Sequence, residues 1–294
     1  MIGAPLCDGE REQGVEKAPI ALRVAGLLEV LRSVAEVRDF GDLSLVTPIP
    51  DRKMGKLRNL ENNVAGCQKV MKIVIDALRD GYFPLLIGGD CSLFPGAMAG
   101  VKDVHKDARA IYFDGHADFN TPEATTSGYL SGMALATAVG KGQGQLGRIG
   151  TPFPIIRQDE IVVIGVRKTN FDSPELENLE RSNVHVVWLD ALTEQKASDV
   201  VAEEIETSKP VFLHFDIDVI DQRDMPALAG IKSGVHSPGG LSYAEALTIC
   251  RTFSKLPLIG MELTLYDPSL DAGGTHAKGI IQLLRALLGT SDRQ

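Results

Sequence analysis

Ala110-Ile111-Tyr112-Phe113-Asp114-Gly115-His116-Ala117-Asp118 is the stretch on which the reading of this chain turns. Its first four residues form an unbroken apolar run, the pattern of a strand covered on both faces. Asp114, His116 and Asp118 then occupy alternate positions. In extended backbone alternate side chains point the same way, so the three should converge. A second acidic pair, Asp216 and Asp218, repeats the spacing after the apolar segment Val211–Phe215. A lone Asp-x-Asp after a strand is ordinarily a turn or helix cap. Two such clusters after two strands point instead to a metal centre.

The same alternation extends along the chain. Apolar runs at Ile2–Pro5, Phe83–Ile87, Ile161–Val166 and Leu258–Met261 read as strands, as do Val34–Phe40 and Val184–Trp188. Helical spacing marks Ala21–Leu31, Val64–Leu78, Met133–Val139, Ser198–Thr207 and Thr275–Leu288. Ser242 followed by Glu245 is a capping-box start for a helix to Phe253. Strands alternating with helices predict a parallel sheet covered on both sides. The polar motifs follow strands: Gly88–Ser92, Asp114–Asp118, Asp216–Asp218 and Glu262. That is the sheet edge where open α/β folds bind ligands. No composition shift or repeat divides the chain, so residues 1–294 are expected to form a single domain.

The net charge of −9 comes without a basic block, which argues against a nucleic-acid partner. No apolar run approaches the roughly 18 residues of a membrane span. The opening MIGAPLCDGEREQG lacks a basic region followed by an apolar one, so no signal peptide is expected. Cys7, Cys67, Cys91 and Cys250 form no CxxC pair, and a few scattered cysteines suit a reducing, cytoplasmic setting.

Oxygen-rich ligands with one imidazole suit Mn²⁺, Mg²⁺ or Fe²⁺ better than a structural zinc. Four aspartates and a histidine can hold two divalent ions, which lower the pKa of a bridging water and orient it for attack. The reaction class is therefore metal-assisted hydrolysis. Glu262 can hold a cationic substrate group through charge-assisted hydrogen bonds. His214 shares a strand face with Asp216, either supporting the ligands or simply packing.

These residues carry a resemblance to the arginase/agmatinase ureohydrolases. The shared motifs are GAP…GVEKAP…LR near the N-terminus, GGD-x-S at 88–92, D-x-H-x-D-x-NTP at 114–122 and TTSG at 125–128. FDIDVID at 215–221, GGLSY at 239–243 and ME…DPS at 261–269 continue it. The resemblance implies a three-layer α/β/α sandwich with a mainly parallel eight-stranded sheet. It implies two Mn²⁺ per chain, a small guanidino substrate and homo-oligomers, trimeric or hexameric. By position Asp114, His116, Asp118, Asp216 and Asp218 match metal ligands, with Asp114 and Asp216 bridging. Asp118 and Glu262 match the catalytic carboxylates, and Glu262 the group that holds the guanidinium. Asn120, Thr125 and Ser127 match contacts to a substrate α-carboxylate, which favours an amino-acid substrate over agmatine.

Three departures qualify the match. Cys91 stands where the family usually has a histidine ligand. It either binds as a thiolate, shifting preference from Mn²⁺ toward Fe²⁺, Co²⁺ or Zn²⁺, or is an inert buried thiol beside a weak or missing metal. Ser131 replaces a proton-shuttling histidine and Tyr129 an asparagine; His236 is either a substitute acid or an ordinary surface residue. Lys168-Thr169-Asn170 replaces acidic residues, leaving Asn170 one uncharged contact to a substrate amine. The expected activity is hydrolysis of a guanidine-type C–N bond in arginine or a modified arginine such as N-hydroxyarginine, releasing urea or a urea derivative. The alternative is a non-catalytic or weakly metallated homologue that acts by oligomerising or binding a ligand.

Overall fold

The computed structural model describes residues 1–11, 13–45, 53–54, 56–142, 144, 146–150, 152–168, 173–192, 196, 199, 208–234 and 238–289. Its strands are β1 (Ile2–Ala4), β2 (Leu85–Gly88), β3 (Arg109–Phe113), β4 (Ile161–Val166), β5 (His185–Trp188), β6 (Val211–Asp216) and β7 (Leu258–Thr264). They form one sheet in the order β1-β2-β7-β6-β3-β4-β5, with every neighbouring pair parallel. Lys53–Met54 and Leu57–Arg58 make a separate two-stranded hairpin.

The sheet has seven strands among the described residues, not the eight expected. Val34–Phe40 forms no strand. The chain after it does run along the outer edge of β1: Gly3 N–H donates to Gly41 O at 2.9 Å and Leu43 N–H to Gly3 O at 2.8 Å. Gly41 has φ 74°, which turns the backbone out of the extended region, so only the isolated bridge Gly3–Asp42 survives.

The helices are α1 (Ala18–Val24), α2 (Leu27–Arg32), α3 (Leu60–Arg79), α4 (Phe94–Val104), α5 (Ala134–Ala138), α6 (Ser173–Glu180), α7 (Tyr243–Phe253) and α8 (Thr275–Leu288). The single helix expected over Ala21–Leu31 is broken in two, because Gly26 takes φ 98°. Ser242 and Glu245 form the expected reciprocal cap of α7. The segment 198–207 expected to be helical lies outside the described residues, apart from residue 199.

Ring contacts show how the layers are built. Phe94 of α4 packs on Tyr112, Phe212 and His214, while Phe253 of α7 packs on Phe113. Neighbours along β3 thus face opposite helices, as strand geometry requires. The result is an α/β/α sandwich in which the central strands are buried on both faces. Strands β2, β7, β6 and β3 are central, and their C-terminal ends lie side by side.

Candidate metal centre

Register in the sheet places the polar side chains. Tyr112 pairs with His214, and His214 with Glu262, across β3, β6 and β7. Two residues further along on the same face come Asp114, Asp216 and Thr264. The face is the one covered by Phe94. It therefore carries two polar rows beneath an apolar lid, at the end of the sheet where the loops begin.

The expected convergence occurs, but by turns and not by continued strand. Strand β3 stops at Phe113, and the Asp114 carboxylate accepts the His116 backbone N–H at 2.6 Å. Likewise Asp216 accepts the Asp218 N–H at 2.7 Å. Asp90 accepts the Ser92 N–H at 2.9 Å. Each motif is an Asx-type turn. The carboxylates that close these turns are the ones that converge, so the turn reading and the metal reading of Asp-x-Asp are compatible.

Two groups of donor atoms result, each with all atoms within 4.8 Å of one another: Cys91, Asp114, His214 and Asp216, and Asp114, His116 and Asp218. Asp114 belongs to both. Within them Cys91 Sγ lies 2.8 Å from Asp216 Oδ2 and His116 Nδ1 lies 2.7 Å from Asp218 Oδ2. Arg167 fixes Asp218 from behind, donating to its carbonyl at 2.7 Å. Asp118, expected on the same face as His116, stands apart from both groups. Its backbone is left-handed at φ 48°, and its carboxylate accepts the Tyr112 hydroxyl at 2.6 Å.

Glu262 differs most from expectation. It lies inside β7 and not after it, is fully buried, and pairs with His214 Nδ1 at 2.6 Å. The cleft above the cluster is lined by Cys91, His116, Asp118, Asp216 and Asp218, with Ser127, Tyr129 and Ser131 on the wall; Glu262 does not reach it. Thr125 is buried and accepts the Gly128 N–H, and Asn120 accepts the Thr121 N–H at 2.9 Å. The Tyr129 ring stands beside the guanidinium of Arg58, 4.8 Å from its centroid. Ser131 donates to Gly9 O at 2.9 Å. Asn170 and His236 lie outside the described residues.

Electrostatics distinguish these groups. Burial raises the carboxyl pKa of Asp114, Asp118 and Asp216 well above the ordinary range, and neighbouring aspartates raise it further. Burial also raises the Cys91 thiol, with Asp216 adding to it. For His116 burial opposes the charge, but Asp218 outweighs it and pushes the imidazole up to about 10. Asp218 is pulled the other way: despite burial, His116 and Arg167 hold it below the usual carboxylate value. Two like charges 4 Å apart cost about 4 kcal/mol at an effective dielectric of 20. So many carboxylates can share this volume only with protons or cations. Asp114 Oδ2 and His214 Nε2 are buried without a hydrogen-bond partner. Unpaired acceptors converging on one point fit a divalent cation.

Glu10 was not singled out in the sequence. It lines the cleft on the loop after β1, beside Ser131. Burial and then Asp90 raise its pKa to about 7. The loop is held by close approach: Gly9 N–H donates to Asp90 at 3.0 Å, and a Cβ on Gly89 would stand 1.4 Å from Leu6 O. The GGD motif, read by itself, gave no hint of which loop it receives.

The sequence profile of the arginase family matches residues 1–289. The arginase of Bacillus caldovelox is 30% identical, covering 98% of this chain and 97% of that protein. Mouse arginase-1 is also 30% identical, covering 98% of this chain and 90% of its own. The solved structure of the Bacillus caldovelox enzyme superposes with a TM-score of 0.89 at 29% identity, covering 98% of this chain and 97% of that one. Fold, length and motif order agree, and the chain belongs to the arginase family.

Proposed function

We propose that this chain hydrolyses a guanidine-type C–N bond in arginine or a modified arginine, such as N-hydroxyarginine, at a binuclear metal centre. The observation that carries the reading is the pair of donor groups sharing Asp114 on the floor of the cleft. Cys91, Asp114, His116, Asp118, Asp216 and Asp218 are the residues read as holding the ions, manganese by family resemblance. Two divalent ions would supply Lewis-acid activation of water at neutral pH.

The chain's own groups do the rest. Glu10 lines the cleft with Arg11 and Arg167 and is the carboxylate there not read as holding an ion, so it is the group available to meet a cationic guanidinium. Ser127 and Tyr129 on the wall, with Asn120, Thr125 and Asn170 from the resemblance, are read as contacting the amino-acid end. Hydrolysis adds water oxygen to the amidine carbon, breaks its C–N bond and delivers a proton to the departing amine. Ser131 cannot titrate near neutrality. Glu10, in the same cleft lining as Ser131 and with a pKa of about 7, suits the task of carrying that proton. Buried, unbridged thiols at all four cysteines support a cytoplasmic setting. No described helix is long and apolar enough to cross a membrane. A homo-oligomer, trimeric or hexameric, belongs to the same reading.

The test is urea or hydroxyurea release across a panel of guanidines, with protein loaded in turn with Mn²⁺, Co²⁺, Fe²⁺ and Zn²⁺. Release from an α-amino-acid guanidine and not from agmatine is expected. No turnover of any guanidine with any metal overturns the proposal.

A further inference from the structure

We infer that His214 is a metal ligand, and that Glu262 is its positioning residue and not the substrate's anchor. The inference rests on the metal centre proposed above and concerns which of this chain's residues build it. His214 Nδ1 lies 2.6 Å from Glu262 Oε1. A proton on Nδ1 donated to that carboxylate leaves the lone pair on Nε2. Nε2 is buried and has no hydrogen-bond partner, as is Asp114 Oδ2, 3.6 Å away. Leaving a buried acceptor unmade costs about 1–3 kcal/mol, so two converging on one point call for a shared cation.

The ring is not free to turn toward anything else. It stacks on Tyr112 with centroids 3.9 Å apart and 14° between planes, and Phe94 closes its edge at 5.6 Å. Glu262 is held in register beside it by β7. A carboxylate on one imidazole nitrogen and a metal on the other is the arrangement that fixes ligating histidines. Cys91 belongs to the same group, so its sulfur lies within 4.8 Å of the donor nitrogen of His214. The site therefore offers one thiolate, one imidazole and the carboxylates of Asp114 and Asp216. This is a softer set than that of Asp114, His116 and Asp218, and it favours Zn²⁺ or Co²⁺ over Mn²⁺. The two positions become chemically distinct, one soft and one hard.

The role of Glu262 changes accordingly. It is fully buried, lies outside the cleft lining and has one oxygen committed to His214, so recognition of a cationic substrate falls to a carboxylate that does line the cleft.

The experiment is X-ray absorption on the zinc-loaded protein together with metal titration. The wild type should bind two ions and show a Zn–S shell near ~2.3 Å with imidazole scattering. His116→Ala should keep one ion with both sulfur and imidazole shells. His214→Ala should keep sulfur and lose imidazole scattering at that position, with affinity there reduced about 100-fold or more. Glu262→Gln should weaken the same position roughly 10–100-fold and leave the other unchanged. Should His214→Ala fail to fold, the His116→Ala spectrum decides alone: sulfur without imidazole overturns the inference. Two ions bound with unaltered affinity in His214→Ala overturns it too, while leaving the metal centre standing. No ion bound by the wild type overturns both.

Discussion

Removing metal from this protein should make its stability fall as pH rises through neutrality. Asp114, Asp118 and Asp216 have carboxyl pKa values raised by burial and by one another, so the metal-free native chain keeps protons that the unfolded chain releases near pH ~4. A native state that binds more protons than the unfolded one loses stability with rising pH, by about 1.4 kcal/mol per pH unit for each extra proton. His116, held up to about 10, adds the same sign from its unfolded value of about 6.5 upward. Asp218 is shifted downward and acts with opposite sign, but only in acid, below the ordinary carboxylate range. Each carboxyl that keeps its proton adds its own about 1.4 kcal/mol per unit, against a total of about 5–15 kcal/mol for a typical domain. Divalent ions replace the protons, and each site at 100 times its Kd adds back about 2.7 kcal/mol. The assay is urea unfolding between about pH 5 and 8, with chelator and with saturating metal. A chelated protein as stable at the alkaline end as at the acid end would refute the crowding argument.

Other substitutions probe single links. Cys91→His should raise Mn²⁺ occupancy and urea release from arginine; unchanged metal content and activity would show that Cys91 is not a ligand. Glu10→Gln should lower kcat about 100-fold and remove a fall in rate above about pH 7, since an acid must be protonated to act. A retained alkaline limb excludes Glu10 from proton transfer. Gly89→Ala forces a Cβ against the Leu6 carbonyl and should cost about 1–3 kcal/mol or more in urea unfolding, because backbone must move.

Much of this molecule was legible before the fold was known. Continuous apolar runs mark the buried parallel strands, and the residues just after them include the donor groups that converge around Asp114. What failed has physical causes. Alternation in Asp114-x-His116-x-Asp118 predicts extended backbone, but the Asp114 carboxylate captures the His116 N–H and folds the segment into a turn. Asp118 turns its carboxylate to the Tyr112 hydroxyl while still lining the same cleft. Glu262 was placed at a strand end because the apolar run pauses there, yet β7 continues to Thr264. A charged residue inside a central strand is hidden to periodicity unless its partner is known. Here the partner is His214, 48 positions earlier and set opposite by register. Glu10 was missed for the same kind of reason, since its cleft position depends on a loop received by Gly89 and Asp90.

The most direct test of the account is metal content per chain in the wild type and in Asp114→Ala, measured by elemental analysis after dialysis against divalent ions. Asp114 is the residue common to both donor groups, so its loss should act on both at once. Two ions in the wild type and at most one, weakly held, in the variant is the predicted result. No ion in the wild type, or two retained at full affinity without Asp114, would contradict it.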